Sequence, residues 1–193
     1  MAFLEFQARG VLAIATDMRQ VNHIAYTPAP DIVHEAAGHA PIIADPEYRD
    51  YLRRYANLAH KAIISREDLD VYEAIRILSD TKENPDATSE EIARAQARLD
   101  AANKAVTHVS EATMVSRMAW WTVEYGLVGD LKHPKIYGAG LLSSVGESQH
   151  CLSPKIRKIP LSVDCVKQSY DITEPQPQLF VARDMHHLTE VLI

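Results

Sequence analysis

The stretch TPAPDIVHEAAGHAP, residues 27–41, contains two histidines five positions apart, His34 and His39. Five residues of ideal α-helix advance about 500°, which leaves two such side chains roughly 140° apart around the axis. On a straight α-helix they would not bind one metal ion. The zinc-protease pattern is excluded as well, because it needs the second histidine four positions after the first, and position 38 is glycine. A shared metal therefore requires the chain to turn between the two histidines.

The residues beside the histidines predict such a turn. Asp31 is a suitable N-cap or first-turn residue for a short helix over residues 32–37. Gly38 can adopt the left-handed conformation that ends many helices, and Pro41 should prevent the helix from resuming directly. We therefore predict that the helix ends at Gly38 and that the second histidine folds back beside the first.

Glu124 is the best candidate for a third ligand. It lies in the run AWWTVEYGL, residues 119–127, where an unpaired carboxylate among apolar and aromatic side chains would be costly to bury. Two imidazoles suit iron, zinc, copper or nickel, so the third ligand decides the chemistry. Two histidines and one carboxylate on one face of an octahedron form the facial triad of non-haem iron(II) oxygenases, and the sequence favours that kind of site.

Four segments of the chain carry a resemblance to a known family. They are Arg19 followed by YTPAPD at 26–31, HEAAGH at 34–39, WWTVEYGL at 120–127 and KIYGAGLLSSVGE at 135–147. In this order they resemble the pterin-dependent aromatic amino acid hydroxylases, the family of phenylalanine, tyrosine and tryptophan hydroxylases, as a bacterial-type member or fragment. The resemblance implies a mainly α fold, namely a helical catalytic domain with long loops and a few short strands.

The resemblance also implies a role for each matching residue. The iron(II) ligands would be His34, His39 and Glu124. The pterin contacts would be Phe3 and Glu35, with Glu35 also reaching bound water as a catalytic residue. The substrate contacts would be Arg19, Thr27, Pro28, Pro30, Trp120, Tyr125, Gly140, Ser143 and Ser144. An arginine suits the carboxylate of an amino acid, because a guanidinium binds it with two parallel hydrogen bonds.

The implied activity is ring hydroxylation by an iron(II) monooxygenase that uses a tetrahydropterin and O₂, similar to phenylalanine 4-monooxygenase. Phenylalanine is the first candidate substrate and tryptophan the second. Ala119 departs from the phenylalanine enzymes, where a tyrosine is expected, and widens the site.

Two alternatives stay open. One is a zinc-dependent hydrolase with Glu35 as general base. The other is a truncated metal-binding domain without full activity. It is suggested by the abrupt start of the chain, because residues 3–6 already read as structured and the family places a pterin-binding loop just before this point.

Length and composition predict one domain over residues 1–193, since 47% of the residues are hydrophobic and 24% are charged. The resemblance implies that it is a hydroxylase catalytic domain, complete or truncated. The interval between the second histidine and the carboxylate is longer than the resemblance implies, and we place a helical insertion at about 61–115. Within it, Thr88 and Glu91 have the spacing of a capping box at the start of a helix.

Other patterns predict further elements. Apolar and aromatic residues at three- and four-residue spacing over 45–58 predict one buried helix face. Residues 111–125 return to the family pattern, and the resemblance implies that they form the helix that carries the carboxylate ligand. Three glycines and two serines within 137–146 indicate irregular backbone beside a small ligand. Short strands are predicted over 158–162 and 179–182.

Charge and hydropathy limit the partners. A net charge of −6 without a basic cluster argues against nucleic acid, and no apolar stretch is long enough for a membrane span. No signal-peptide pattern occurs, and the two cysteines, Cys151 and Cys165, are expected to remain thiols in the cytoplasm. The last residues lack heptads, so we expect a monomer or weak dimer that binds a small aromatic amino acid.

Overall fold

Helices make up most of the described chain, which confirms that the fold is mainly α. In chain order they are a first π-helix His34–His39, α1 Ala40–Ile43, α2 Pro46–Lys61, α3 Arg66–Glu83, α4 Ser89–Ala105, α5 Glu111–Ala119, a second π-helix Trp120–Glu124, α6 Ala139–Ser143, α7 Val145–His150, a 3-10 helix Val163–Lys167 and α8 Met185–Val191. The strands are β1 Leu127–Gly129, β2 Pro134–Ile136, β3 Arg157–Pro160 and β4 Gln178–Ala182. The computed structural model describes residues 9, 15, 18, 30–172 and 175–192.

Four residues with predicted binding roles lie outside the described residues. They are Phe3, Arg19, Thr27 and Pro28. Their roles stay predictions that rest on the sequence.

The chain divides into two units with dense internal contacts. The first combines Met1–Lys61 with Val115–Ile193, and the second is Ala62–Met114. The first unit contains the residues of the predicted metal site, and the second contains α3 and α4. The reading of about 61–115 as an insertion into one catalytic domain stays a prediction.

The four strands form one sheet in the order β2, β1, β4, β3. Strand β4 is buried along its whole length and pairs in parallel with both β1 and β3. Strand β2 pairs antiparallel with β1, which ends at Gly129 with a φ of 101°, a left-handed value that favours glycine. Strands β3 and β4 confirm the two predicted strands with shifted ends. The sequence did not predict β1 and β2, because three residues are too few to show an alternating pattern.

The tyrosine face of α2 lies in the core of the first unit. Tyr48, Tyr51 and Tyr55 are buried, as their helical spacing predicts. Thr122 donates a hydrogen bond to the Met118 carbonyl at 2.6 Å, so its oxygen accepts the Tyr51 hydroxyl proton, also at 2.6 Å. These two bonds join α2 to the second π-helix and help to fix the position of that helix.

The second unit is a helical hairpin of α3 and α4 with a capping box at each N-terminus. The predicted box is confirmed: Glu91 N–H donates to Thr88 Oγ1 at 3.2 Å, and Thr88 N–H donates to Glu91 Oε2 at 2.8 Å. Ser65 and Asp68 form the equivalent pair at the start of α3. Each box satisfies backbone N–H groups that the first helical turn leaves without partners.

The two cysteines and the character of the helices remain to be described. Cys151 and Cys165 are both free thiols in the interior, where burial raises their pKa values to about 11 and about 12. Over the described residues we find no helix with both the length and the apolar character of a membrane span.

Candidate metal centre

The two histidines lie at the ends of a π-helix. The prediction that the helix ends at Gly38 was wrong, because the backbone stays helical through this position. The N–H of Ala40 bonds to the carbonyl of Glu35, five residues earlier, which is the pattern of a π-helix. This wider turn places residues five apart one above the other. His34 and His39 therefore face the same side, with ring centroids 4.8 Å apart.

Gly38 is required for close packing rather than for a left-handed turn. A Cβ on this residue would lie 2.7 Å from the Ala139 carbonyl oxygen and 2.9 Å from Ala139 Cβ, closer than atoms can approach. The absence of a side chain lets the first π-helix lie directly against α6. Pro41 also differs from the prediction, because α1 follows at once and Pro41 lies in its first turn, where a missing N–H is tolerated.

Glu124 is the last residue of the second π-helix, which continues α5 without a break. The N–H of Tyr125 bonds to the carbonyl of Trp120 at 2.9 Å, again five residues apart. The sequence predicted a helix over 111–125 that delivers the carboxylate, and this is confirmed. The π character was not predicted, because an apolar stripe does not distinguish a four-residue from a five-residue turn at one position.

The three candidate ligands converge. His34 Nε2 lies 3.1 Å from His39 Nε2 and 3.5 Å from Glu124 Oε2, and His39 Nε2 lies 3.4 Å from Glu124 Oε1. Among the described residues this is the group of histidine, cysteine and acidic side chains whose ligand atoms meet closely enough to hold a metal ion. All three side chains are partly buried.

These distances fit one shared ion. With bonds of about 2.1 Å, neighbouring ligand atoms should be about 3.0 Å apart around an octahedral ion and about 3.4 Å apart around a tetrahedral one. The observed 3.1–3.5 Å covers both values. The donor set, two imidazoles and one carboxylate, is the one that non-haem iron(II) sites use, so iron fits the residues present.

Ser143 sets the tautomer of His34. Its hydroxyl donates to the Ala139 carbonyl at 2.8 Å, so the same oxygen accepts the proton of His34 Nδ1 at 2.9 Å. With the proton on Nδ1, the lone pair of Nε2 points towards the other two ligands. Such a partner fixes the orientation of a metal-binding imidazole. The resemblance implied a substrate contact for Ser143, which stays a prediction; its bond to His34 was not predicted, because the two residues are far apart in the chain.

The electrostatics of the two imidazoles differ. Burial is the largest influence on His34 and lowers its pKa, although the charge of Glu124 opposes this. Burial also acts to lower the pKa of His39, but the hydrogen bond and charge of Glu124 outweigh it, so the pKa of His39 is raised. A metal cation would take the place of that proton beside the carboxylate.

Asp31 and Glu35 flank the first ligand in different ways. Asp31 is buried, and its Oδ1 accepts the His34 N–H at 2.9 Å, which confirms the predicted cap. Glu35 is half-buried, and its Oε1 lies 3.5 Å from the backbone nitrogen of Ala15. It does not belong to the group of converging ligand atoms. Its predicted contacts with water and pterin stay predictions.

An aromatic stack stands beside Glu124. The Trp120 ring lies between Tyr125, at a centroid distance of 4.5 Å, and Tyr170, at 4.2 Å. Trp120 and Tyr125 were predicted to surround the substrate ring. Tyr170 was not predicted at all, because it lies in a loop far along the sequence and no local pattern marks it.

The remaining predicted substrate contacts occupy different places. An added Cβ on Gly140 would lie 3.1 Å from Tyr125 Cε2 and 3.5 Å from Glu124 Oε2, so Gly140 lies beside the candidate ligand Glu124. Ser144 is the N-cap of α7 and accepts the Glu147 N–H at 3.3 Å. Pro30 is exposed. Their contacts with a substrate stay predictions.

The backbone of residues 137–146 departs from the sequence prediction. It forms α6 and the start of α7 rather than an irregular segment. The two helices are short, and the extended residues Gly138 and Ser144 precede them. Segments of five and six residues carry too little periodicity to be recognised as helices.

A mainly helical scaffold with two histidines and a carboxylate around one point has the ligand arrangement of the facial-triad class of mononuclear metal sites. The model of the family described as biopterin-dependent aromatic amino acid hydroxylase matches residues 2–62 and 87–193. The chain therefore belongs to that family. The family predicted from the four sequence motifs is confirmed.

Curated relatives agree with this assignment. Phenylalanine-4-hydroxylase of Dictyostelium discoideum is 30% identical over 166 residues, which cover 86% of this chain and 27% of that protein. Phenylalanine-4-hydroxylase of Pseudomonas aeruginosa is 25% identical over 190 residues, which cover 98% of this chain and 55% of that protein. The chain thus spans about a quarter to a half of the length of these relatives.

Solved structures show the same fold. Phenylalanine hydroxylase of Chromobacterium violaceum, a structure with bound iron(III) and 7,8-dihydrobiopterin, matches with a TM-score of 0.69 and 24% identity over 97% of this chain and 53% of that one. Phenylalanine hydroxylase of Legionella pneumophila matches with a TM-score of 0.70 and 24% identity, covering 99% of this chain and 64% of that one.

Proposed function

We propose that this chain holds iron(II) through His34, His39 and Glu124 and acts as a pterin-dependent monooxygenase on the ring of an aromatic amino acid. The observation that carries the proposal is the convergence of the three ligand atoms to within 3.5 Å of one another in a chain of this family. Three protein ligands on one side leave the opposite side of a metal ion open for small molecules.

The chemistry divides between the metal and the chain. Bound iron(II), with a tetrahydropterin as electron donor, would supply the activation of O₂. The chain holds the imidazole of His34 in the metal-binding tautomer through Ser143. The partial burial of the ligands limits access of water, and the aromatic side chains orient the substrate ring.

The substrate pocket in this proposal has an aromatic wall and a cationic end. Trp120 and Tyr125 supply the wall, and Gly140 leaves room beside Glu124. Arg19 supplies the cation for the substrate carboxylate. Phenylalanine is the first candidate and tryptophan the second, and the relatives named above are phenylalanine hydroxylases.

The proposed function includes a pterin cosubstrate and a small assembly. A tetrahydropterin binds near Glu35, with Phe3 as its ring contact. The protein is a monomer or weak dimer of the cytoplasm, and nucleic acids and membranes are not partners.

The direct test is turnover. The chain, loaded with iron(II), is supplied with a tetrahydropterin, O₂ and phenylalanine, tryptophan or tyrosine in separate reactions. The hydroxylated product is identified by mass and retention. We expect product from phenylalanine, a smaller amount from tryptophan, and none without pterin.

Variants separate this proposal from its alternatives. Glu124→Ala should abolish both iron retention and product, whereas Glu147→Ala, which removes a half-buried carboxylate of α7, should preserve iron binding. Tight zinc binding with metal-dependent hydrolysis would favour the hydrolase that uses Glu35 as base. Stoichiometric iron binding without product from any of the three amino acids would favour a metal-binding domain without turnover.

A further inference from the structure

We infer that the aromatic stack of Tyr125, Trp120 and Tyr170 carries oxidising equivalents away from the metal centre towards the surface when no substrate is there to consume them. This inference rests on the proposed iron-dependent function. The Trp120 ring is inclined by 24° to Tyr125 and by 8° to Tyr170, at centroid distances of 4.5 and 4.2 Å. Near-parallel rings at such distances overlap through their π systems, and this overlap allows single electrons to pass between them.

The stack begins at the metal centre. Tyr125 follows the ligand Glu124 directly in sequence. Tyr125 Cε2 and Glu124 Oε2 both lie within 3.5 Å of one point, the Cβ position of Gly140. An electron from the Tyr125 ring therefore has a short distance to cross to reach a metal bound by that carboxylate.

The middle of the stack cannot retain the charge. Trp120 Nε1 is buried, and no described residue forms a hydrogen bond with it. An oxidised indole is a cation that becomes a stable neutral radical only if this N–H gives up its proton, and indole nitrogen is a donor only. No described residue offers this N–H a hydrogen-bond acceptor, so the oxidising equivalent moves on from Trp120.

Tyr170, at the outer end of the stack, has a route by which its proton can leave. The Tyr170 hydroxyl lies 3.4 Å from the hydroxyl of Ser116, which is exposed. A phenol loses its proton when it is oxidised, and this pair leads that proton to solvent. Tyr170 is therefore the position at which the oxidising equivalent becomes a neutral tyrosyl radical.

Each electron that leaves the stack is replaced by one from the next ring outwards. Without substrate, hydrogen peroxide takes up two electrons and two protons from solvent and becomes two molecules of water; iron(II) would give one of these electrons, and Trp120, through Tyr125, gives the other. One electron from Tyr170 restores Trp120, while the phenolic proton of Tyr170 passes through Ser116 to water. A diffusible thiol then donates a hydrogen atom to Tyr170 and becomes a thiyl radical.

A second series of rings is less suited to this path. Tyr48, Tyr51 and Tyr55 succeed one another at centroid distances of 6.3 Å with interplanar angles of 35–36°, so their overlap is smaller. The Tyr51 hydroxyl bonds to buried Thr122, which gives its proton no direct route to solvent. The closer and more nearly parallel rings of the stack that contains Trp120 are better suited to electron transfer.

The test uses electron paramagnetic resonance on the full chain. Iron(II) is loaded without amino acid or pterin, bound iron is counted by metal analysis, and hydrogen peroxide is added before rapid freezing. We expect a tyrosyl radical signal that Tyr170→Phe removes and that Trp120→Phe reduces, because phenylalanine is much harder to oxidise. Tyr72→Phe, a change at an exposed tyrosine of the second unit, should leave the signal intact.

Peptide mass spectrometry gives a second readout. In Tyr170→Phe, oxidation products should accumulate at Trp120 rather than at exposed Tyr72. An unchanged radical in Tyr170→Phe, or a signal lost in Tyr72→Phe, would overturn the inference. A chain that binds iron but forms no protein radical would overturn the inference alone, whereas a chain that binds no iron would overturn the proposed function as well.

Discussion

At the scale of single residues, the metal centre depends on side chains that are not ligands. Ser143 links the His34 ring to the Ala139 carbonyl, and this bond decides which imidazole nitrogen is free for the metal. Gly38 contributes by having no side chain. Sequence patterns alone do not identify either role, because each depends on contact with α6, a helix far along the chain.

Ser143→Ala tests the orienting bond. Without the hydroxyl, His34 loses its Nδ1 partner and exchanges between tautomers and ring orientations, so iron(II) affinity should fall about 10- to 100-fold. Anaerobic titration with iron(II) or cobalt(II) measures the change. Ser148→Ala is the matched control, since Ser148 donates only to the Val145 carbonyl within α7. Equal affinities of Ser143→Ala and the control would contradict the assigned role.

Gly38→Ala tests the close approach of the first π-helix to α6. The added Cβ would overlap Ala139, so the two helices must separate, at a cost of about 1–3 kcal/mol for an overpacked contact. We expect a lower melting temperature and weaker metal binding together. Gly129→Ala should also lower the melting temperature, because its φ is 101°, but it should leave metal binding unchanged. Normal metal affinity in Gly38→Ala would contradict this account.

At the scale of elements, the site is made by two π-turns. A straight α-helix would hold the two histidines roughly 140° apart, whereas five-residue hydrogen bonding aligns them. The sequence predicted the three side chains that converge and the helix that carries Glu124. It could not locate the π-turns, because the prediction of a break at Gly38 used local propensity, while packing against Ala139 keeps the chain helical there.

Asp68 gives the start of α3 a pH dependence. Burial acts to raise the pKa of Asp68, but hydrogen bonds from Ser110, Ser65 and Thr113 outweigh it and lower the pKa from 3.8 to about 2. The folded state therefore favours the charged form. The stability that Asp68 contributes should be complete above pH 3.8 and should be lost as the pH falls towards about 2.

Asp68→Asn tests the direction of this pH dependence. Melting followed by far-UV circular dichroism should give a lower midpoint than the parent at pH 7, with the difference shrinking between pH 3.8 and about 2. Asp70→Asn is the control, because Asp70 makes an exposed ion pair with Arg66 and such pairs contribute little. A difference that grows as the pH falls would show that the sign is wrong.

At the scale of the whole molecule, the family match is interrupted where the second unit begins, near residue 62, but it resumes at residue 87, inside that unit. The family model leaves out residues 63–86, which contain α3, and the second unit is Ala62–Met114. The family resemblance implied a mainly helical protein, and helical periodicity predicted long helices such as α2 to α4 individually. The aromatic stack could not be predicted, since it joins Trp120 to a loop residue through packing alone.

Anaerobic iron(II) titration with metal analysis tests most directly whether the residues of the two π-turns hold a single metal ion. We predict one iron per chain, with binding lost in His34→Ala, His39→Ala and Glu124→Ala and preserved in Glu147→Ala. Stoichiometric binding of undiminished affinity in Glu124→Ala would contradict the account.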